Sequence, residues 1–375
     1  MRRQHVRQAT DLDHRMMDVA LAVARRGLGR TAPNPSVGAV IFDEATGEMI
    51  SRGWTQPGGR PHAETEAIAR AGVRARGKTM YVTLEPCSHF GRTPPCASAI
   101  IEAGIARVVV ATLDPDPRVS GRGIRMLREA GIEVRRGVRT EAAQQLTLGH
   151  ILRVTERRPL VQLKMALGPD GTVPRGAEGK PVWATGPQAR AHGHLLRAKA
   201  DAILVGSGTV RDDDPELTCR LPGLIARSPS RILVAGRNLP SRETKLVATA
   251  GQSPLMVFAN SQVDPDRRAA LVAAGCRMID VASVDGRPWL PAVMEALVAE
   301  GVTRLLVEGG PSIWRAFAAL NLVDEVYLYQ VRGNAGGAAD PDGAAALARY
   351  VPNGQFSLVE QLDIGPDVLL VYDRN

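Results

Sequence analysis

The chain has 375 residues, 44% of them hydrophobic and 23% charged, with a net charge of +8. That length suits about two domains, and so mixed a composition excludes a disordered chain. With no run near the ~20 apolar residues of a membrane helix, and no apolar secretory core in the N-terminal MRRQHVRQATDLDHRMMDVA, the expectation is a cytoplasmic protein.

Residues 14–29 carry apolar side chains at helical spacing and end in Gly27 and Gly29, which predicts a helix with a glycine stop. After a turn at Pro33-Asn34-Pro35, Val37–Phe42 and Met49–Trp54 read as strands around the turn Asp43–Gly47, and His62–Ala71 as a helix. Lys78–Leu84 is predicted to be a strand, Pro95–Ala103 a short helix, Arg107–Thr112 a buried strand and Gly123–Ala130 a helix before a strand over Ile132–Arg136. A second block opens with a strand over Leu160–Ala166 and a helix over Ala189–Ala200. Strands then follow over Ala202–Val205, Arg231–Val234 and Leu255–Ala259, with a helix over Ala269–Ala274 before Cys276–Asp280. Further on come a helix over Pro291–Glu300, a strand over Arg304–Val307, a helix over Ser312–Leu320 and strands over Glu325–Gln330 and Val368–Tyr372. Both blocks alternate strand and helix, so the expected class is layered α/β. The boundary is placed between residues 155 and 156. Residues 333–346, rich in Gly, Ala and Asp, read as a mobile loop.

Four cysteines, at 87, 96, 219 and 276, are too few and scattered for a disulfide framework, so the close pair Cys87 and Cys96 points to thiolate chemistry. Joined to His62-Ala-Glu64, the pair supplies one imidazole and two thiolates, three ligands of a tetrahedral zinc with the fourth position left for water. His62-x-Glu64 with Pro86-Cys87 matches the zinc nucleobase deaminases, in which the glutamate is a general acid/base and not a ligand. Zinc lowers the pKa of its bound water from 15.7 toward ~7, so a hydroxide forms at neutral pH and Glu64 carries its proton to the leaving amine. Asn34, whose amide both donates and accepts, is a candidate to read the edge of a heterocycle, the alternative being that it only shapes its turn. Charge adds a hint about the substrate: residues 1–155 hold 23 basic and 15 acidic side chains, residues 156–375 hold 24 of each. An N-terminal excess favours an anionic partner, either nucleic acid or a small phosphorylated molecule.

Cys87-Ser-His-Phe-Gly-Arg-Thr-Pro-Pro-Cys96, with His62-Ala-Glu64 and Pro33-Asn34-Pro35-Ser-Val-Gly38, closely resembles the bifunctional deaminase-reductase family of riboflavin biosynthesis. Its eight-residue gap between the cysteines separates it from the two-residue spacing of cytidine and tRNA-adenosine deaminases. In the second block Gly206-Ser-Gly-Thr209-Val-Arg-Asp-Asp213-Asp-Pro-Glu-Leu217-Thr-Cys-Arg220 and Glu308-Gly-Gly310-Pro-Ser312 resemble the family's reductase domain. The resemblance implies a cytidine-deaminase-like three-layer domain over 1–155 and a dihydrofolate-reductase-like α/β domain over 156–375. It implies deamination of 2,5-diamino-6-(5-phosphoribosylamino)pyrimidin-4(3H)-one and then NADPH reduction of the ribosyl group to ribityl. By motif position, His62, Cys87 and Cys96 would bind zinc and Glu64 would shuttle the proton. Lys164 and Asp213 would act at the reacting sugar carbon. Ala166, Trp183, Thr209, Asp213, Gly310, Pro311 and Ser312 would hold NADPH, while Asn34, Arg197, Leu217, Arg220 and Glu308 would meet substrate. The free N–H groups after Glu308-Gly-Gly suit a pyrophosphate, and arginine forks suit a ribose phosphate. The chain departs from the family pattern at Gly168-Pro169, Pro181, Gly236 and the 333–346 loop.

The rival reading is a deaminase acting on nucleic acid, with a divergent, non-reducing C-terminal domain. With 4% aromatic residues the chain is poor in base-stacking platforms, which argues against nucleic acid as partner. A second rival is a structural zinc staple in a binding protein. The expected partners are therefore a phosphoribosylated pyrimidine and further copies of the chain in a homo-oligomer, with neither nucleic acid nor membrane.

Overall fold

The computed structural model describes residues 9–91, 93–174, 185–236, 238–331, 343–351 and 355–375. The chain divides into two compact units, Met1–Arg157 and Arg158–Asn375. Among the described residues no helix is long and apolar enough to cross a membrane.

The first unit runs α1 (Asp11–Ala24), β1 (Gly38–Asp43), β2 (Glu48–Trp54), α2 (Ala63–Ala71), β3 (Thr79–Leu84), α3 (Cys96–Glu102), β4 (Arg107–Thr112), α4 (Arg122–Glu129), β5 (Glu133–Arg136) and α5 (Thr140–Thr155). Thr10 and Asp13 start α1 with a capping box, each side chain bonded to the other's backbone N–H at 3.1 Å. The sheet order is β2-β1-β3-β4-β5, antiparallel on both sides of β1 and parallel from β3 to β5. Strands β1 and β3 are buried at every position because apolar side chains leave them on both faces. Ala39, Ile41, Met80 and Val82 pack with residues of α2, α3 and α4, while Val40, Phe42 and Tyr81 pack with residues of α1 and α5. Three layers result, as the resemblance implies. The C-terminal ends of the central parallel strands and the starts of α2 and α3 carry the chemistry-bearing residues.

The second unit runs β6 (Leu160–Leu167), α6 (Pro187–Lys199), β7 (Ala202–Gly206), α7 (Ser207–Asp213), β8 (Ser230–Val234), α8 (Lys245–Ala248), β9 (Leu255–Ala259), α9 (Pro265–Ala273), β10 (Arg277–Asp280), β11 (Ser283–Val284), β12 (Arg287–Pro288), α10 (Leu290–Ala299), β13 (Arg304–Val307), α11 (Pro311–Ala319), β14 (Glu325–Val331), α12 (Ala344–Ala348), β15 (Phe356–Ile364) and β16 (Asp367–Arg374). Its main sheet has the order β10-β9-β8-β7-β13-β6-β14-β16-β15, parallel as far as β14 and antiparallel beyond it. One face packs on residues of α10, α11 and α12, the other on residues of α6, α7, α8 and α9. At the start of β6 a buried pair ties the sheet together: Arg158 donates to Asp324 at 2.6 and 2.9 Å, and the same carboxylate accepts the Val161 N–H at 2.9 Å.

Most elements fall where periodicity predicts them. Helix α5, edge strand β15 and the short helices α7, α8 and α12 are additions. The expected loop over 333–346 lies outside the described residues up to Asp342, and its last residues enter α12.

Candidate functional site

Strand β3 delivers the chain to Glu85-Pro86-Cys87. Glu85 is buried, and its carboxylate accepts the N–H groups of Gly121 (2.9 Å) and Ile124 (3.2 Å), so the loop bearing Cys87 is tied to the start of α4. Gly123 permits this approach, since a β-carbon there would fall 2.0 Å from the Pro86 carbonyl oxygen. His62 is the N-cap of α2, Glu64 lies in the first turn of that helix, and Cys96 opens α3. His62 Nδ1 stands 3.3 Å from Cys96 Sγ and 3.7 Å from Cys87 Sγ, and Cys87 Sγ accepts the Cys96 N–H at 3.2 Å. The three ligand atoms all lie within 4.8 Å of one another. Zinc bonds of about 2.0 Å to nitrogen and 2.3 Å to sulfur in a tetrahedron set such ligands about 3.6 Å apart. The donor set therefore fits a zinc ion held by three side chains.

Electrostatics divide the roles. The Cys96 thiol and the His62 imidazole hydrogen-bond Cys87 and hold its thiol far below the usual range despite burial. The bond to Cys87 and burial push Cys96 the other way. His62 is raised, chiefly by its hydrogen bond to Cys87. Glu64, 4% exposed, is pushed up to about 7 by burial, with His62 opposing and Cys87 adding to the rise. A carboxyl poised there both accepts and returns a proton near neutral pH. Asn34 joins this group: its amide nitrogen donates to the Gly59 carbonyl at 2.8 Å and lies 3.4 Å from His62 Nε2.

In the second unit the chain gathers Lys164, Arg197 and Glu308. Arg197, from α6, donates to both carboxylate oxygens of Glu308 at 2.7 and 2.9 Å and to the Thr218 carbonyl at 2.9 Å. Burial would raise Glu308, but the Arg197 charge and hydrogen bonds prevail and hold it down to about 2. Lys164, on β6, is lowered by burial and by Arg197, while Glu308 pulls it back up. Thr209 and Asp213 lie one turn apart on α7, and Asp213 is raised by burial and by Asp212. Gly310 caps α11, which begins Pro311-Ser312. Ala166 lies on β6 two residues beyond Lys164. Leu217 is a core residue at φ +60°, and Arg220 reaches Glu216 at 3.4 Å while its N–H meets His194 Nδ1 at 3.3 Å. Trp183, expected at the cofactor, and Pro181 lie outside the described residues.

Two groups stand at these clusters without having been picked out from the sequence. Glu85 could have been noticed as a carboxylate directly before Pro86-Cys87. His192 and Tyr329, bonded at 2.7 Å beside Lys164, gave no signal, because α6 and β14 bring them together across 137 positions.

The family description "Cytidine and deoxycytidylate deaminase zinc-binding region" matches residues 10–112, and "RibD C-terminal domain" matches residues 159–368. The chain is 38% identical over 359 residues to the riboflavin biosynthesis protein RibD of Bacillus amyloliquefaciens, covering 94% of each. It is 38% identical over 372 residues to the Escherichia coli K12 protein of that name, covering 96% of this chain and 98% of the other. Among solved structures, RibD of Acinetobacter baumannii aligns with a TM-score of 0.81 at 31% identity, over 97% of this chain and 99% of that one. The Thermotoga maritima diaminohydroxyphosphoribosylaminopyrimidine deaminase/5-amino-6-(5-phosphoribosylamino)uracil reductase aligns with the same score at 32% identity and the same coverage.

Proposed function

The chain belongs to the riboflavin-biosynthesis family of bifunctional deaminase-reductases, and on that premise we propose how its two units divide the work. The first, residues 1–157, hydrolyses the 2-amino group of 2,5-diamino-6-(5-phosphoribosylamino)pyrimidin-4(3H)-one and releases ammonia. The second, residues 158–375, reduces the ribosyl group of the product to ribityl with NADPH.

In the first unit His62, Cys87 and Cys96 hold zinc. Its chemistry, when bound, is to acidify a water so that a nucleophile exists at neutral pH. Glu64 takes that proton at its carboxylate and passes it to the departing amine, a role that suits a carboxyl pushed up to about 7. Asn34, anchored on Gly59, presents its amide to the pyrimidine.

In the second unit NADPH, when bound, supplies a hydride. Ala166, Thr209, Gly310, Pro311 and Ser312 hold the cofactor, with Trp183 and Asp213. Glu308 orients Arg197 through paired bonds, and Arg197, Leu217 and Arg220 meet the phosphoribosyl substrate. Lys164 carries the proton that balances hydride addition at the sugar carbon, and Asp213 acts at that carbon as well. Several copies of the chain assemble into a homo-oligomer.

One observation carries the deaminase reading: an imidazole and two thiolates within 4.8 Å, with a buried carboxyl two residues from the imidazole. The test is metal analysis of the purified protein with ammonia and NADPH assays on the two successive substrates. One zinc per chain, ammonia release and NADPH oxidation are expected. Ammonia release that persists after zinc is removed by chelation would overturn the metal role, and no NADPH oxidation with the deaminated substrate would overturn the reductase role.

A further inference from the structure

Lys164 reaches its place between two elements that need not have cooperated. It sits on β6, and in the parallel register of β6 with β14 it is opposite Tyr327, while Tyr329 is opposite Ala166. Alternation in a strand puts residues 164 and 166 on one face and 327 and 329 on the same face of the neighbouring strand. Tyr329 is therefore the diagonal neighbour of Lys164, opposite the small side chain of Ala166. The Lys164 Nζ lies 5.5 Å from the centroid of that ring, within the range over which an ammonium is drawn to an aromatic face.

The ring itself is fixed. Tyr329 is fully buried, and its hydroxyl is bonded to His192 Nδ1 on α6 at 2.7 Å. Burial keeps that hydroxyl protonated, and burial together with Lys199 favours the neutral imidazole; in either tautomer of that ring a hydrogen bond joins the two groups. The next residue on α6 is Gly193. A β-carbon there would just touch Lys164 Cε at 4.0 Å, so the helix passes the lysine stem closely with no side chain of its own to displace it. The Glu308 charge also favours the Lys164 ammonium, while Glu308 is itself bonded by Arg197. Among the described residues, an aromatic ring and a carboxylate both favour the ammonium.

We propose that Tyr329 and His192 are positioning residues for the reductase: His192 locks the Tyr329 hydroxyl, and the locked ring holds the Lys164 ammonium where the sugar carbon is reduced. This rests on the reading of Lys164 as the proton-carrying group. In this proposal both residues act through Lys164. The expected signature is a loss in kcat with little change in KM, because the interaction serves the reacting geometry and not uniform binding.

The experiment measures NADPH oxidation with the deaminated substrate for Tyr329→Leu, Tyr329→Phe, His192→Leu and His192→Asn, with ammonia release and thermal melting of the same proteins as controls for folding. Tyr329→Leu removes the ring and should lower kcat by about tenfold or more with KM within about threefold. Tyr329→Phe keeps the ring and should recover most of that loss. His192→Leu should lower kcat by a few fold, and His192→Asn, whose amide stands where Nδ1 was, should restore it. In a Lys164→Ala background Tyr329→Leu should cost nothing more, because groups acting through one another are not additive. Should Tyr329→Leu fail to fold, the two His192 variants and Tyr329→Phe carry the same comparison.

Unchanged kcat in Tyr329→Leu and His192→Leu, or an equal loss from Tyr329→Leu with and without Lys164, overturns the proposal. If Lys164→Ala alone retains full activity, the fault lies in the reading of Lys164 and not in its support.

Discussion

Glu64 stands two residues from His62, yet it is not part of the cluster of ligand atoms. Its carboxyl is buried and raised toward neutrality, which suits proton transfer and would be wasteful in a group that only packs. Glu64→Gln keeps the shape and removes the ionisable carboxyl. Ammonia release should fall by at least ~10²-fold, while zinc content and melting temperature stay near the parent's. A variant that loses its zinc together with its activity would show Glu64 to be holding the site and not shuttling a proton. Asp373 offers a second residue-scale case. It pairs with Glu325 across β14 and β16, and burial followed by the Glu325 charge raises it to about 6 from 3.8. The folded state therefore binds this proton more tightly than the unfolded chain, so the associated stability is present below pH 3.8 and is lost as pH rises through 6. Asp373→Asn should melt higher than the parent above pH 6, with the gain vanishing as pH falls toward 4. A pH-independent difference in melting temperature would show that the asparagine acts by packing.

At the scale of elements, the first unit's centre depends on how closely α4 approaches the Cys87 loop. Gly123→Ala would place a β-carbon 2.0 Å from the Pro86 carbonyl, backbone that cannot swing aside as a side chain would. The loop must shift, and the Glu85 bonds to Gly121 and Ile124 shift with it. Zinc affinity and ammonia release should drop by about 10-fold or more, on the scale seen when the supports of metal ligands are disturbed, while NADPH oxidation is retained. Equal losses in both activities would point to general misfolding. The same scale shows what sequence reasoning could reach. Strands such as Arg107–Thr112 and Leu255–Ala259 are legible because each is a short continuous apolar run bounded by turn residues. Helix α5 is not, since its buried face includes Thr147, Gly149 and His150, which blur the apolar stripe. Strand β15 is equally hidden: as the edge of its sheet it is exposed along Ser357–Asp363, so its side chains show no alternation of buried and polar positions. The His62-Cys87-Cys96 cluster was legible because thiols and imidazoles at fixed spacing are rare by chance. The Lys164 surroundings were not, because Tyr329 and His192 are ordinary residues until β14 and α6 bring them to one point.

For the whole molecule, charge is distributed unevenly along the chain, and this has a consequence for substrate capture that the local geometry does not fix. The excess of 23 basic over 15 acidic side chains in residues 1–155 contrasts with 24 of each in residues 156–375. A phosphorylated substrate approaching the first unit meets a net positive field, and such a field speeds encounter without changing the bond-making step. Salt shortens its reach, from about 10 Å at 0.1 M to about 3 Å at 1 M. The Michaelis constant for ammonia release should therefore rise several-fold between those two concentrations while kcat stays flat. For NADPH oxidation, the phosphoribosyl substrate meets a unit of balanced charge in which Arg197 is already paired with Glu308, so the rise should be smaller. The two assays on one preparation separate the effects: a general action of salt on the protein would move both constants together. A flat Michaelis constant for deamination would assign the N-terminal charge to solubility, leaving phosphate recognition to a few directed contacts.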